Sequence, residues 1–361
     1  MAPISGPIGA SAPSACCRAL PQSERMPRQE ITDRDRGLRC QTVKSIEVRG
    51  FSACRLATGC ASRHRPSSAV AAPRRGGDGR LVTTVTELSV TRLTIDDIED
   101  NVALAREVGW PDTESDWTVL HRGAIVVGVR AEGGLVGQGA LGLYGQAGTI
   151  AKMIVAPRFQ RHGMGQQILE VVLAEAQHRA LTVLGLVATP FGRPLYARAG
   201  FVSVGEVVGL GGVPTAPFTG DATTPLEGVE GMLRLDERWL GCSRESMLRA
   251  RFGEAVATAS VLGPDGELCG YAMATAQREH FVIGPVVAET EGRARALVGS
   301  ILRSLPGPVR LDVPGEKSAF RAWLCTLGLR EQKTRPEMAR GCDRLPWQVP
   351  ERFALAAQAW G

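Results

Sequence analysis

The chain is short of the residues that most often carry metal, redox or base-stacking chemistry. Aromatics make up 5% of the 361 residues, and there are three tyrosines and five histidines. The histidines share no ligand spacing. The nine cysteines contain no Cys-x-x-Cys pair: Cys16, Cys17, Cys40, Cys54 and Cys60 crowd into the N-terminal part, while Cys242, Cys269, Cys325 and Cys342 are scattered. Neither a zinc site nor a disulfide framework is indicated, and no metal is expected. Long apolar runs are also missing. No stretch reaches the roughly 20 residues of a membrane helix, and no basic start leads into a secretory apolar run. The expectation is a cytoplasmic protein without a membrane partner.

Lysine is scarce too, at 4 against 38 arginines, and the basic charge is unevenly spread. Residues 1–80 hold 14 Lys+Arg against 6 Asp+Glu, leaving 28 against 31 for the rest, so the net +5 comes from the arm alone. That arm is rich in Arg, Ser, Pro, Ala and Gly, and its composition predicts disorder over 1–81. It could be a targeting segment, although Glu24, Glu30, Asp33 and Asp35 argue against one. Arginine in place of lysine suggests a G+C-rich coding sequence, in which over-extended upstream frames are common, and that reading is preferred. With Phe51 as its only aromatic, the arm gives little ground for nucleic-acid binding.

What the chain does have is the stretch Ile150–Glu170, IAKMIVAPRFQRHGMGQQILE. Strand-type residues pass through Pro157 into Gln160-Arg161-His162-Gly163-Met164-Gly165, and a helical pattern follows with Ile168, Leu169, Val172, Leu173 and Ala176 on one face. Glycines let a ligand approach the backbone, and the free N–H groups and dipole of a helix start attract an anion, so the loop can hold phosphate. The mononucleotide loop does not fit, because Gln166 follows Gly165, and Gly315-Glu316-Lys317-Ser318 has an intruding glutamate. Nor does the dinucleotide fingerprint, since Ile168 stands where its third glycine belongs.

The loop instead resembles the (Gln/Arg)-x-x-Gly-x-(Gly/Ala) segment of the GNAT superfamily of N-acetyltransferases, and the lead-in Ile154-Val155-Ala156-Pro157 is similar to that family's. Further on, Leu195-Tyr196-Ala197-Arg198-Ala199-Gly200-Phe201 resembles its Leu-Tyr-x-x-x-Gly-Phe segment, at the family's spacing. The resemblance implies acetyl-CoA as acyl donor. Gln160, Arg161, Gly163, Gly165 and Gln166 would hold its pyrophosphate, and Ile154 and Val155 would pair with its pantetheine arm. It also implies an amine acceptor, small molecule or peptide, and Tyr196 as the acid that protonates the departing thiolate; the alternative for Tyr196 is a tyrosine packed on the sheet with its hydroxyl on a backbone carbonyl.

The expected fold is α/β with a mixed sheet: two tandem GNAT-like domains, each a mostly antiparallel sheet flanked by helices. The first spans 82–213 in the order β-α-α-β-β-β-α-β-α-β. A Pro, Gly and Thr linker covers 214–228. The second, 229–342, reads as a worn copy. Its hairpin, strand, helix, strand and helix run from Ala255 to Thr326, but Glu289, Thr290 and Glu291 stand in place of the phosphate loop, and these carboxylates would repel a pyrophosphate. The tail, 343–361, reads as a short apolar helix docked on one of the domains. As a monomer or homodimer, the protein would bind one donor per chain. No base is identified: Lys152 is unusual before the loop and would steer an anionic acceptor or lie solvated at an edge, and Glu206, His162 and Tyr144 are weaker choices. Trp110 and Trp117 would border the acceptor pocket or pack in the core. A non-catalytic acetyl-CoA sensor is the alternative to an enzyme.

Overall fold

The computed structural model describes residues 89–215 and 223–360; the arm and the expected strand start at Val85 lie outside them. The first half begins with β1 (Val90–Arg92), α1 (Ile98–Glu107) and α2 (Glu114–Gly123). Reciprocal caps open α2 and the 3-10 turn Ile95–Asp97 that leads into α1. Thr94 N–H donates to Asp97 Oδ2 at 2.7 Å and Thr113 N–H to Asp116 Oδ2 at 2.8 Å, while each threonine hydroxyl oxygen accepts an amide in return. Strands β2 (Ala124–Ala131), β3 (Gly134–Tyr144) and β4 (Ala147–Val155) form an antiparallel meander. Then come α3 (Met164–His178), β5 (Val183–Val187), α4 (Arg193–Arg198) and β6 (Val202–Gly212). This is the order the sequence predicts.

The second half repeats it from the first helix onward: α5 (Glu230–Leu240), α6 (Glu245–Gly253), β7 (Ala255–Leu262), β8 (Leu268–Ala276), β9 (Phe281–Ala288), α7 (Glu291–Ser304), β10 (Val309–Pro314), α8 (Ser318–Thr326) and β11 (Arg330–Arg340). Sequence patterning finds this half from β7 to α8 but does not anticipate α5, α6 or β11. The tail is a correction. It is not a helix but carries a short strand, β12 (Arg352–Ala354), that pairs antiparallel with β9.

All twelve strands of the described residues belong to one sheet, in the order β1-β2-β3-β4-β5-β11-β6-β10-β9-β8-β7 with β12 beside β9. The halves exchange their last strands. The strand that ends the second half, β11, lies against β5 of the first, and β6, which ends the first, lies against β10 of the second. The two exchanged strands pair antiparallel with each other at the centre. The core follows the same exchange. Ile168, Leu169, Trp117 and Tyr144 share one buried cluster with Met232, Leu235 and Met247 of α5 and α6, while Val208 and Leu210 of β6 are buried with Leu297 and Ile301 of α7. A buried network ties α5 to β8: Arg244 grips both oxygens of Asp236, at 2.6 and 3.0 Å, and Tyr271 donates its hydroxyl to the same carboxylate.

Because each half lacks a strand without the other, neither is a complete sheet. Calorimetric unfolding of the chain is therefore expected to give one cooperative transition; two resolved transitions would show that the halves fold independently.

Candidate active site

In the first half, β4 and β5 run parallel but pair only from Ala147–Thr149 to Val183–Gly185. Beyond Ala151 a bulge at Lys152 and Met153 interrupts the ladder to β3, and Lys152 is driven to a φ of +52°, rare for a residue with a side chain. The two strands part there. Ile154 and Val155 lie past the bulge, on an edge that β5 no longer covers.

At the open end stands the predicted loop. Gly163 caps α3 in the left-handed region, φ +84°, with no side-chain cap on the helix. Arg161 is left-handed as well, φ +64°, and Arg161, His162 and Gly163 are exposed. Gln166 and Gln167 N–H donate to the Gly163 carbonyl and Gln160 N–H to the Pro157 carbonyl. Among the described residues the amides of Arg161 to Gly165 have no such partner. Five consecutive free N–H groups at the positive end of a fifteen-residue helix form an anion cradle. Behind it, a Cβ added at Gly165 would meet Leu195 Cδ2 of α4 and Val155 Cγ2 of β4, both at 3.8 Å, so loop, strand and α4 converge on one point.

Two predicted loop residues are engaged elsewhere. Gln160 donates its side-chain amide to the Val155 carbonyl at 2.9 Å, fastening the loop to the strand, and Gln166 donates to Glu170. Tyr196 lies on α4, buried, edge-on to Phe201 at 6.1 Å between ring centres. Its hydroxyl makes no hydrogen bond to the described residues, and burial raises its pKa, which keeps the phenol protonated.

The other face of β4 carries a polar and aromatic group. Lys152 Nζ is 2.7 Å from Asp112 Oδ1 and stands over Trp110 and Trp117, at 5.4 and 5.8 Å from their ring centres. The lysine is thus held by an ion pair and two rings. Nearby, Asn101 donates to Gln138 at 2.7 Å, and its oxygen faces His121 Nε2 at 2.8 Å. Tyr144 is fully buried and donates to the Trp360 carbonyl at 2.6 Å. Both tryptophans pack inside, yet they also wall this group. His162 is exposed in the loop, and Glu206 lies on β6 beside Gly315.

The second half has the same wedge and fills it. Strands β9 and β10 pair only at Phe281–Val309 and Val282–Arg310, and a bulge at Gly284 and Pro285 follows. Into the gap runs the tail. Arg352 and Ala354 pair with Val287 and Val286, Ala288 N–H donates to the Glu351 carbonyl, and Leu355 N–H donates to the Asp312 carbonyl of β10. Arg352 is buried and bidentate on Glu337, both contacts 3.0 Å. The fit leaves no slack: a Cβ at Gly284 would stand 1.9 Å from the Leu355 oxygen. At the wedge mouth, α7 is capped by Thr290, whose hydroxyl oxygen accepts from Arg293 N–H, and Glu289 and Glu291 pair with Arg293 and Arg295. Among the described residues only three consecutive amides, Thr290 to Gly292, lack a partner there, and they stand between two carboxylates. Sequence patterning missed the tail's role, because an Ala-rich apolar run carries no signal of a strand partner.

A sheet whose parallel strands part beside a glycine-capped helix start is the architecture of an acyltransferase of the GNAT class. Residues 118–220 and 232–354 each match a family model described as an acetyltransferase (GNAT) domain. The chain belongs to this superfamily and carries two of its domains in tandem. It is 24% identical over 265 residues to YitH of Bacillus subtilis, an uncharacterized N-acetyltransferase, covering 72% of this chain and 93% of that protein. In fold it is similar to a Pyrococcus horikoshii protein whose acetyltransferase assignment is provisional (TM-score 0.64, 19% identity, 79% of this chain and 100% of that one). It is also similar to a tandem GNAT protein of the clavulanic acid biosynthesis pathway (TM-score 0.54, 19% identity, 70% and 98%).

Gly163→Ala forces a Cβ into the left-handed region and is expected to cost about 1–2 kcal/mol, whereas Gly165→Ala, which gains only ordinary contacts, should leave the melting temperature within a degree or two. Equal destabilisation by the two would contradict the helix entry described.

Proposed function

We propose that the first half transfers an acetyl group from acetyl-CoA to the amine of an acceptor, and that each chain holds one such donor. The observation that carries this reading is the run of unengaged amides from Arg161 to Gly165 on the α3 N-terminus, which suits a pyrophosphate in position and in charge. The exposed Arg161 adds a cation beside it. The edge of β4 past the bulge lies open to the pantetheine arm, which would displace the Gln160 side chain from the Val155 carbonyl to pair there, and a backbone N–H of this edge would bind the thioester oxygen as negative charge develops on it.

In this reaction the amine nitrogen attacks the thioester carbon, the C–S bond breaks, the amine gives up a proton and the thiolate takes one. Tyr196 supplies the second proton: its phenol stays protonated, and its helix reaches the loop through Leu195. The acceptor would enter from the face bearing Trp110, Trp117, Asp112 and Lys152. With Lys152 and Tyr144 both engaged, water is the simplest carrier of the amine proton. The same engagement favours a second reading, in which acetyl-CoA is bound and sensed but not turned over.

Gly165→Trp puts an indole where loop, β4 and α4 converge, so it is expected to abolish acetyl-CoA binding by calorimetric titration in a chain whose circular dichroism shows that it is folded. Tyr196→Phe should lower kcat for thiol release, over a panel of amines, aminoglycosides, amino acids and peptide N-termini, by about 100-fold with KM for acetyl-CoA unchanged. Tight acetyl-CoA binding with no thiol release from any amine would favour the sensor. Undiminished binding by Gly165→Trp would contradict both readings.

A further inference from the structure

The cluster around Lys152 contains polar atoms that the fold itself does not use. Asp112 is buried, its side chain 6% exposed, and its Oδ1 lies 2.7 Å from Lys152 Nζ; its second oxygen, Oδ2, is sealed from solvent with no partner among the described residues. Trp117 is fully buried, and its indole Nε1–H has no partner either. Both atoms belong to one cluster, because Lys152 Nζ touches Asp112 while standing 5.4 Å from the ring centre of Trp110 and 5.8 Å from that of Trp117. The neighbouring polar residues differ. His121, its ring 6.3 Å from that of Trp117, bonds to Asn101, and Asn101 bonds to Gln138.

Buried polar atoms without partners and left-handed backbone under a side chain both cost stability, and they gather where a protein meets a ligand. Here they coincide: the bulge of β4 holds Lys152 at a φ of +52°. The described contacts use one of the three N–H donors of its ammonium, and 13% of its side-chain surface stays exposed, so the cluster is open to solvent on the lysine's side. Trp117 stands on α2 and Lys152 on β4, whereas Trp110 and Asp112 lie in the connection between α1 and α2. That loop is the wall that can yield to a ligand.

The charges select what would fit. Asp112 Oδ2 calls for a donor, while Lys152 Nζ and Trp117 Nε1 call for acceptors. A simple amine would bring a second cation to Asp112 and leave a net positive charge between two tryptophans; a ligand carrying its own carboxylate would not. Because Asp112 and Lys152 touch, the two charges of the ligand must also be close neighbours. Building on the acyl-transfer reading, we propose that this cluster binds the acceptor and that the acceptor is an α-amino acid, its ammonium donating to Asp112 Oδ2 and its carboxylate accepting from Lys152 Nζ and Trp117 Nε1. The acceptor nitrogen is thereby held beside the bulge, two residues before Ile154.

The test compares the common α-amino acids with the amines that lack their carboxylates, as acceptors in acetyl-CoA-dependent thiol release and as ligands in calorimetric titration of the full-length chain. At least one amino acid is expected to exceed its amine by about 10- to 100-fold in kcat/KM or in affinity, and the ratio should fall towards one in Lys152→Met, which keeps an alkyl stem over the two rings. Asp112→Asn has the same shape and keeps the test valid should Lys152→Met not fold: amino-acid binding should weaken about tenfold. Thiol release from simple amines with no gain from the carboxylate, or a ratio unchanged in Lys152→Met, overturns the proposal and leaves acyl transfer standing. Saturable amino-acid binding that is lost in Lys152→Met, without thiol release, upholds the amino-acid site and counts against acyl transfer. Neither binding nor release with any amino acid, or undiminished binding by Asp112→Asn, overturns the proposal.

Discussion

Two parallel strands that part leave two rows of peptide groups without partners, and the rest of this structure answers that constraint. A backbone N–H or C=O shut away from both water and a partner costs about as much as a lost hydrogen bond, so a wedge inside a sheet must be filled by something. The chain contains two wedges. In the second, the filler is its own tail, hydrogen-bonded to β9 on one side and β10 on the other, with Arg352 locked on Glu337 beneath. In the first, a bulge at Lys152 and Met153 turns β4 aside, and a helix start with five free amides stands at the mouth. The same gap is thus a structural joint in one half and, among the described residues, is left without a strand partner in the other.

The charge at each mouth agrees with this division. The α3 entrance has a glycine cap, no carboxylate in its first turn and an arginine two residues before that cap. The α7 entrance has a threonine cap and two glutamates, each neutralised by an arginine one turn on. Since the helix dipole favours anions at both starts, side chains decide between an incoming phosphate and an internal carboxylate. The exchange of β6 and β11 then makes the two halves inseparable: the closed wedge belongs to the same sheet as the open one.

Much of the first half was legible in the residues. The two glycines of the loop, the apolar face of α3 and the tyrosine helix ending at Gly200 are local features, and Gly200 takes the left-handed turn such an ending requires, φ +85°. The free amides at Arg161–Gly165 follow from that local pattern. The uses of Gln160 and Gln166 do not, because a side-chain amide can serve a ligand or a neighbouring carbonyl and nothing in its spacing distinguishes the two. The second half hid more. Strand β11, REQKTRPEMAR, is polar and contains Pro336, composition that argues against a central strand; it is one because β5 and β6 need a partner. The tail reads as a helix from its alanines, yet the unpaired edges of β9 and β10 override that propensity. Long-range backbone demand, unlike capping or periodicity, leaves no mark in the segment that meets it.

The central claim is that the chain has two wedges and one opening. Equilibrium dialysis of the purified chain against labelled acetyl-CoA, carried to saturation, measures this directly. The account predicts a plateau at one acetyl-CoA per chain; a plateau at two, or no saturable binding at all, would contradict it.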